Sequence, residues 1–387
     1  MPFEPKTSFP GLLADSAARL AQDLAAEYPK GADPGVIAEM GWNAVLIPEE
    51  QGGVGGEFAD LASIVEALAT QAVDLPVITR CGVLPAMLNA LVERAVSNNT
   101  IGDTAQGVSS FADPTLANCA RAQALLTGCA EGAVVLELGG PLSAGDPVAP
   151  LAIRGTGDER RVTGKTAAMS LSEDCTHVLL VCTQADGGAP VLACVDADRL
   201  RAHAEFFQTM DETRVCVCHV HGLALVDDDI VASGADAERA LDAGWRVAVA
   251  ATAIDTVCAM GSVLERTITY LLERVQFGQP LAQFQALRHD VARLYVTYEI
   301  SRSLLQATLR EMEKGHTAEA FDLLGLYTSE EAVTYAETVI QLHGGMGMTR
   351  EMPAARLATR LLANAMRFGD TLSHRQSLNR LRTRTTA

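Results

Sequence analysis

The hydrophobic period changes twice along this chain, and that change narrows the available folds more than any other feature. Up to about residue 125, apolar residues recur at three and four spacing, as in LLADSAARLAQDLAAEY, DLASIVEALAT and LPAMLNALVERAV, which predicts helices. From about 126 to 235 the texture becomes short β-rich runs, GAVVLEL, THVLLVCT, APVLACVD and TRVCVCHVHGLALV, separated by Gly, Asp and Pro. Helical spacing then returns in long segments, 246–275, 284–314 and 318–342. The expected class is α+β, with an N-terminal helical domain (1–125), a middle β-barrel or sheet domain (126–235) and a C-terminal helical domain (236–387). No repeat or linker-like tract separates these parts, so they are expected to pack as one unit with an ample core.

A formal net charge of −18 argues against nucleic acid as the main partner, so any phosphate-bearing ligand needs a local basic site. The start, MPFEPKTSFPGLLADSAARL, has Pro and acid where a signal peptide needs a basic start and an apolar run. The most apolar long stretch, VAVAATAIDTVCAMGSVL from Val247, contains Asp255, so no membrane span is expected. Nine scattered cysteines without framework spacing fit reduced thiols and a cytoplasmic setting. The cluster CVCHVH (Cys216 to His221) does not read as a metal site. On a strand Cys216 and Cys218 share one face while His219 and His221 share the other.

One segment imitates a dinucleotide-binding turn. AVLIPEEQGGVGGEFADLASIVEAL runs from an apolar stretch through glycines into a helix, and Asp74 lies downstream where a ribose ligand could be held. The glycine spacing fails, because Phe58 stands where the third glycine would follow from Gly53. Two other segments carry a ligand signal. In ERVQFGQPLAQFQALRHDVARL (Glu273 to Leu294) a long helix ends at a turn with Gly278 and Pro280, and Arg274 lies in its last turn. An Arg beside an aromatic ring and a glycine can hold a pyrophosphate, or it can simply satisfy a helix C-terminus. In QLHGGMGMT (Gln341 to Thr349) three glycines fall within four positions between two helical stretches. Each costs about 1 kcal/mol in a helix, so either the chain turns there or something approaches the bare backbone.

Both segments resemble the paired signatures of the acyl-CoA dehydrogenase family, as does GWNAVLIPEEQGGVGGEFADLASIVEALA from Gly41, which then becomes a structural loop. The middle strands, including RVTGKTAAM and HGLALVDDDIVASG, are similar to the family's β domain. The resemblance implies a helical, β, helical architecture ending in a four-helix bundle. It also implies FAD, which removes hydrogens from Cα and Cβ of an acyl-CoA thioester, with an electron-transferring flavoprotein as the family's default acceptor. Residue by residue it implicates Arg274, Gln276, Phe277, Gly278, Gln341, Gly344 and Gly345 in holding the ADP half of an FAD bound mainly by a neighbouring subunit.

The pattern breaks where chemistry is expected. Most members place a catalytic Glu after the glycine loop, and counting without gaps puts Phe368 there. Some members place it on the helix before the Arg motif, but the matching region, near Ala248 or Trp245, has no carboxylate between Asp242 and Asp255. Asp370 is the one acid adjacent to the expected position, a weak candidate that also reads as a helix-end acid. The flavin wall is altered too: LELGGPLSAGD replaces a Thr-Glu-Pro-like segment, and KTAAMSLSE lacks the usual Trp. The expectation is a subunit of a heteromeric (α2β2) FAD-dependent acyl-CoA dehydrogenase. It would complete the cofactor site of a catalytic acyl-CoA dehydrogenase subunit, without supplying the base. The ending FGDTLSHRQSL is similar to non-catalytic chains of bacterial steroid side-chain degradation, beside which fatty-acid substrates stay open. The alternatives are a self-sufficient homo-oligomer with Asp370 as displaced base, or an FAD-free binding or scaffold homologue.

Overall fold

The computed structural model describes residues 3–5, 9, 13–28, 31–102, 114–143, 149–185, 188–313 and 318–385. Residues 1–2, 6–8 and 10–12 of the N-terminal stretch read for a signal, the end of LELGGPLSAGD and Lys314 lie outside the described residues. The N-terminal part holds α1 (Ala14–Ala26), α2 (Val36–Glu39), α3 (Phe58–Thr70), α4 (Leu84–Gly102) and α5 (Pro114–Ala130). A π-helical turn, Ile78–Val83, leads into α4. The decoy glycines are packing positions. A Cβ on Gly53 would fall 2.0 Å from the Ile47 carbonyl oxygen, and one on Gly56 would fall 2.8 Å from that of Val45.

The sheet runs β1 (Leu136–Leu138), β2 (Leu151–Arg154), β3 (Arg161–Lys165), β4 (His177–Gln184) and β5 (Pro190–Asp196). After the short α6 (Asp198–Arg201) it continues with β6 (Ala204–Gln208), β7 (Arg214–Ala224) and β8 (Ile230–Ser233). Strand order is β6-β7-β3-β2-β4-β5-β8, with β1 also pairing β4, in parallel, through Leu136 opposite His177. The run VLLVC in β4 is apolar throughout because both faces are covered. Val178, Leu180 and Cys182 enter the sheet's own core, while Leu179 and Val181 join the larger helical core. On β7, Cys216 and Cys218 face inward and His219 and His221 stay exposed, the alternation that the two-residue period predicts.

The C-terminal part begins with α7 (Ala235–Glu273), a 39-residue helix around which the molecule is built. It is long and apolar enough to cross a membrane, but its apolar window is entirely buried inside the protein. Small residues let its neighbours close in: a Cβ on Gly244 would lie 2.5 Å from Met87 on α4. Two short strands, β9 (Val275–Gln276) and β10 (Gln279–Pro280), form a hairpin between α7 and α8 (Gln285–Glu313). Next come α9 (Ala318–His343), a 3-10 turn over Gly344–Met348, α10 (Pro353–Asn364) and α11 (Thr371–Thr385). Helices α7 to α10 pack as the four-helix bundle, and α11 lies on α9. The fold is the α+β helix, sheet, helix arrangement that the change of period implies.

Candidate functional site

The C-terminal ends of α7 and α9 lie side by side and carry the two glycine-containing segments. After Glu273 the helix stops, because Arg274 turns to extended geometry (φ −75, ψ 114), with its N–H donating to the Tyr270 carbonyl. Its carbonyl accepts from Leu281 N at 2.8 Å, which ties off the hairpin. The sequence reading placed Arg274 in a helical last turn before a simple turn; the structure puts it at the cap of a two-stranded hairpin. Strands of two residues are too short for periodicity to reveal.

Phe277 and Gly278 form the hairpin's two-residue loop at φ 54 and 78, the left-handed pair that such a turn requires. Gly278 takes this at no cost, but an aromatic residue there is strained, and the Phe277 ring is 90% exposed. Its one ring partner among the described residues is Phe284, edge-on at 6.1 Å. The Arg274 side chain is exposed and makes no ion pair among the described residues. Gln276 is exposed and turns back to the Val275 carbonyl.

Gln341 is exposed on the last turn of α9. The three glycines then divide by role. Gly344 takes φ 57 and ends the helix, while a Cβ on Gly347 would meet the Ile340 carbonyl oxygen at 2.6 Å, so both serve the turn. Gly345 has neither constraint: its φ is not left-handed, and a Cβ there would meet nothing within 4 Å. Space is left bare on its outer side. The segments meet through Tyr270 and His343, whose rings stack at 4.6 Å.

The position matching the catalytic Glu is held by Phe368, half-buried against the helical core at φ 56. The charged residue beside it, Arg367, is engaged by carboxylates. Arg367 reaches Asp74 at 3.5 Å and Asp211 at 4.0 Å, and Thr213 donates to Asp74 at 2.6 Å. Burial pushes Asp74 up, but Arg367 and Arg360 outweigh it and hold the carboxyl below its ordinary value. Asp74, the apparent ribose ligand of the decoy, thus belongs to this contact between the three parts of the chain.

Asp370 caps α11: its Oδ1 accepts from the Ser373 hydroxyl at 2.6 Å and the Ser373 backbone N–H at 2.8 Å. Those bonds, the hydroxyl first, hold its carboxyl below the ordinary range, the opposite of what a general base needs. Of the alternative positions, Ala248 is fully buried and Trp245 packs against Phe321 at 6.1 Å. Asp255, about two to three turns further on, is locked by Arg360 and Asn364.

The two segments matching the flavin wall are tied to each other. Buried Arg80, on the π-helical turn, bonds Glu137 at 2.6 Å, Asp174 at 2.9 Å and the Ser172 hydroxyl at 2.5 Å. Burial pushes the Glu137 carboxyl up to about 7, and Arg80 beside it limits the rise. Sequence reasoning missed this cluster because Arg80 lies 57 residues from Glu137 and 94 from Asp174. Ala167 and Ala168 offer no aromatic surface in that wall. These residues do not fit an isoalloxazine ring with a base beside it. By contrast, the end of α7 and α9 fits part of an external pyrophosphate-bearing group: an unpaired guanidinium, an exposed ring and bare backbone. It can clamp such a group from one side and cannot enclose it.

Large apolar side chains stay exposed around this end, among them Leu272, Val275, Met346 and Met348. A groove of about 520 Å³ lined by Tyr295, Val296, Ile300 and Leu304 lies along α8. Its lining contains none of the residues around Phe368.

Comparison with known proteins adds the following. Residues 238–380 match the family described as acyl-CoA dehydrogenase, C-terminal domain. The chain is 26% identical over 313 residues to "Acyl-CoA dehydrogenase IpdE2" of Mycobacterium tuberculosis, covering 81% of this chain and 74% of that protein. It is 31% identical over 137 residues to "Probable acyl-CoA dehydrogenase YngJ" of Bacillus subtilis, a match spanning 34% of that protein. Among solved structures, a Tcur3481-Tcur3483 steroid ACAD variant superposes with a TM-score of 0.74 at 23% identity, covering 97% of both chains. The ChsE4-ChsE5 complex of Mycobacterium tuberculosis gives 0.73 at 17% identity, over 97% of this chain and 98% of that one.

Proposed function

This chain belongs to the acyl-CoA dehydrogenase family, and from that premise we propose that it completes the FAD site of a separate catalytic subunit. The observation that carries the reading is the asymmetry between two sites. The exposed end of α7 and α9 keeps every residue that the family turns toward a neighbour's cofactor. The position of the base holds Phe368, with each nearby carboxylate already committed elsewhere.

The assembly is a heteromer, proposed as α2β2, in which the partner supplies the flavin bed and the base. FAD, when bound there, supplies the hydride acceptor for α,β-dehydrogenation of an acyl-CoA thioester. In this chain Arg274 holds the pyrophosphate by its planar fork, Phe277 covers the adenosine side, and Gln276 and Gln341 offer side-chain amides. Gly278 and Gly344 shape the two turns, and the bare backbone at Gly345 lets the group come close. The solved structures of similar fold that contain two differently named chains, one of them called a steroid ACAD, support a heteromer and suggest a bulky acyl group. Electrons leave to an electron-transferring flavoprotein. Free thiols at all nine cysteines support a cytoplasmic setting.

Two substitutions test the roles separately. Asp370→Asn keeps an acceptor for the α11 cap and removes the only adjacent acid. Turnover of the assembled enzyme is expected to stay within a few-fold of wild type. A loss on the order of 10²–10⁴-fold, with flavin content unchanged, would make Asp370 a base and this chain a catalyst. Gly345→Val is expected to leave the isolated chain's melting curve unchanged, since a Cβ there meets nothing within 4 Å and the φ is not left-handed. In the complex it should weaken FAD retention, read by flavin fluorescence on dilution. Normal retention would mean that the glycines serve the turn alone.

A further inference from the structure

We propose that Tyr270 and His343 are positioning residues that set the two cofactor-facing loops against each other; this rests on the reading of those loops as the parts that meet FAD. Neither loop can hold its own direction. The hairpin has two residues per strand, and the glycine segment is a single 3-10 turn. At their roots, within the packing of α7 on α9, Tyr270 meets His343.

Tyr270 lies one turn before Arg274, and its carbonyl receives the Arg274 N–H at 2.9 Å. His343 ends α9 directly before Gly344 and is 3% exposed. The rings stack with centroids 4.6 Å apart and planes 26° from parallel. The Tyr270 hydroxyl donates to the His343 carbonyl at 3.3 Å, occupying an acceptor that the end of a helix leaves unpaired. The imidazole is fixed in turn. Its Nδ1 lies 2.9 Å from the Val339 carbonyl, which can only accept, so Nδ1 carries a proton and the ring cannot swing. Burial holds the His343 pKa below its ordinary value, which keeps the ring neutral at neutral pH.

The contact therefore fixes the α7 end to the α9 end through two short covalent paths: four residues from Tyr270 to Arg274, and one from His343 to Gly344. A ligand spanning Arg274 and the Gly345 backbone needs that separation held. A displacement of about 1 Å is enough to spoil a clamp of this kind.

The test uses FAD titration of the assembled complex with Tyr270→Phe, Tyr270→Leu, Arg274→Ala and the Tyr270→Leu/Arg274→Ala pair, and melting of each isolated chain. Tyr270→Phe keeps the stack and should retain most of the affinity. Tyr270→Leu loses stack and hydroxyl and should weaken FAD by about two- to tenfold. Because Tyr270 acts through Arg274, the pair should lose less than the product of the single effects. Effects that multiply fully, or a Tyr270→Leu affinity equal to wild type beside a weakened Arg274→Ala, would overturn the positioning role. An Arg274→Ala complex that binds FAD normally would instead remove the reading underneath it. Should Tyr270→Leu not fold, His343→Asn and His343→Phe replace it, with equal FAD affinity in both and wild type overturning the proposal.

Discussion

Replacing Arg274 by alanine is expected to weaken FAD retention by the assembled complex about ten- to a hundredfold. A charge-assisted bond from guanidinium to phosphate contributes about 1.5–3 kcal/mol, and no second cation is described in the hairpin. The site makes this residue more important than its count of bonds suggests. Both α7 and α9 end here, so two helix C-termini present partial negative charge toward an incoming anion. Without the guanidinium, a pyrophosphate would meet those carbonyls unopposed. The folded chain has little to lose, since Arg274 is exposed and both of its described hydrogen bonds are made by the backbone. The check is FAD titration of the complex beside thermal melting of the isolated chain. Unchanged affinity would return Arg274 to a helix-end charge.

Arg360→Ala acts on stability instead, with an expected loss of about 3–5 kcal/mol from leaving a buried carboxylate unpaired. Arg360 donates to both Asp255 oxygens, at 2.7 and 2.5 Å, and to the Val73 carbonyl at 2.8 Å. Asn364 adds a fourth bond at 2.7 Å. The network joins α10, the middle of α7 and the segment after α3, and Asp255 is 1% exposed. Denaturant midpoints of the isolated chain measure the loss. An unchanged midpoint would contradict this account of how the helical parts hold together, and an Asp255→Asn/Arg360→Met pair should recover part of the deficit.

The order of helix, sheet and helix was legible because hydrophobic period reports burial directly. β7 shows this plainly, since the alternation of Cys216 and Cys218 with His219 and His221 is visible in six letters. The site was legible only in outline. Glycines and an arginine mark a turn, but the strained, exposed Phe277 emerges from backbone angles that no spacing encodes. Among the glycines, the resemblance gave Gly344 and Gly345 one role, whereas the structure assigns Gly344, with Gly347, to the turn and leaves Gly345 facing open space. Long-range polar pairs were beyond reach. Asp255 read as a charge interrupting an apolar run, yet it is the acceptor for Arg360, 105 residues away. Arg80 and Glu137 are likewise joined only by folding. A substitution such as Phe368 for a glutamate can be counted from a motif, but the engagement of every nearby carboxylate cannot.

Flavin absorbance of the purified chain, alone and after co-expression with an acyl-CoA dehydrogenase subunit that carries the base, tests the central claim most directly. The account predicts a colourless chain by itself and a yellow complex that reduces its flavin when given acyl-CoA. A chain that purifies yellow alone and is bleached by acyl-CoA would contradict it, because the flavin bed and the base would then both lie within this subunit.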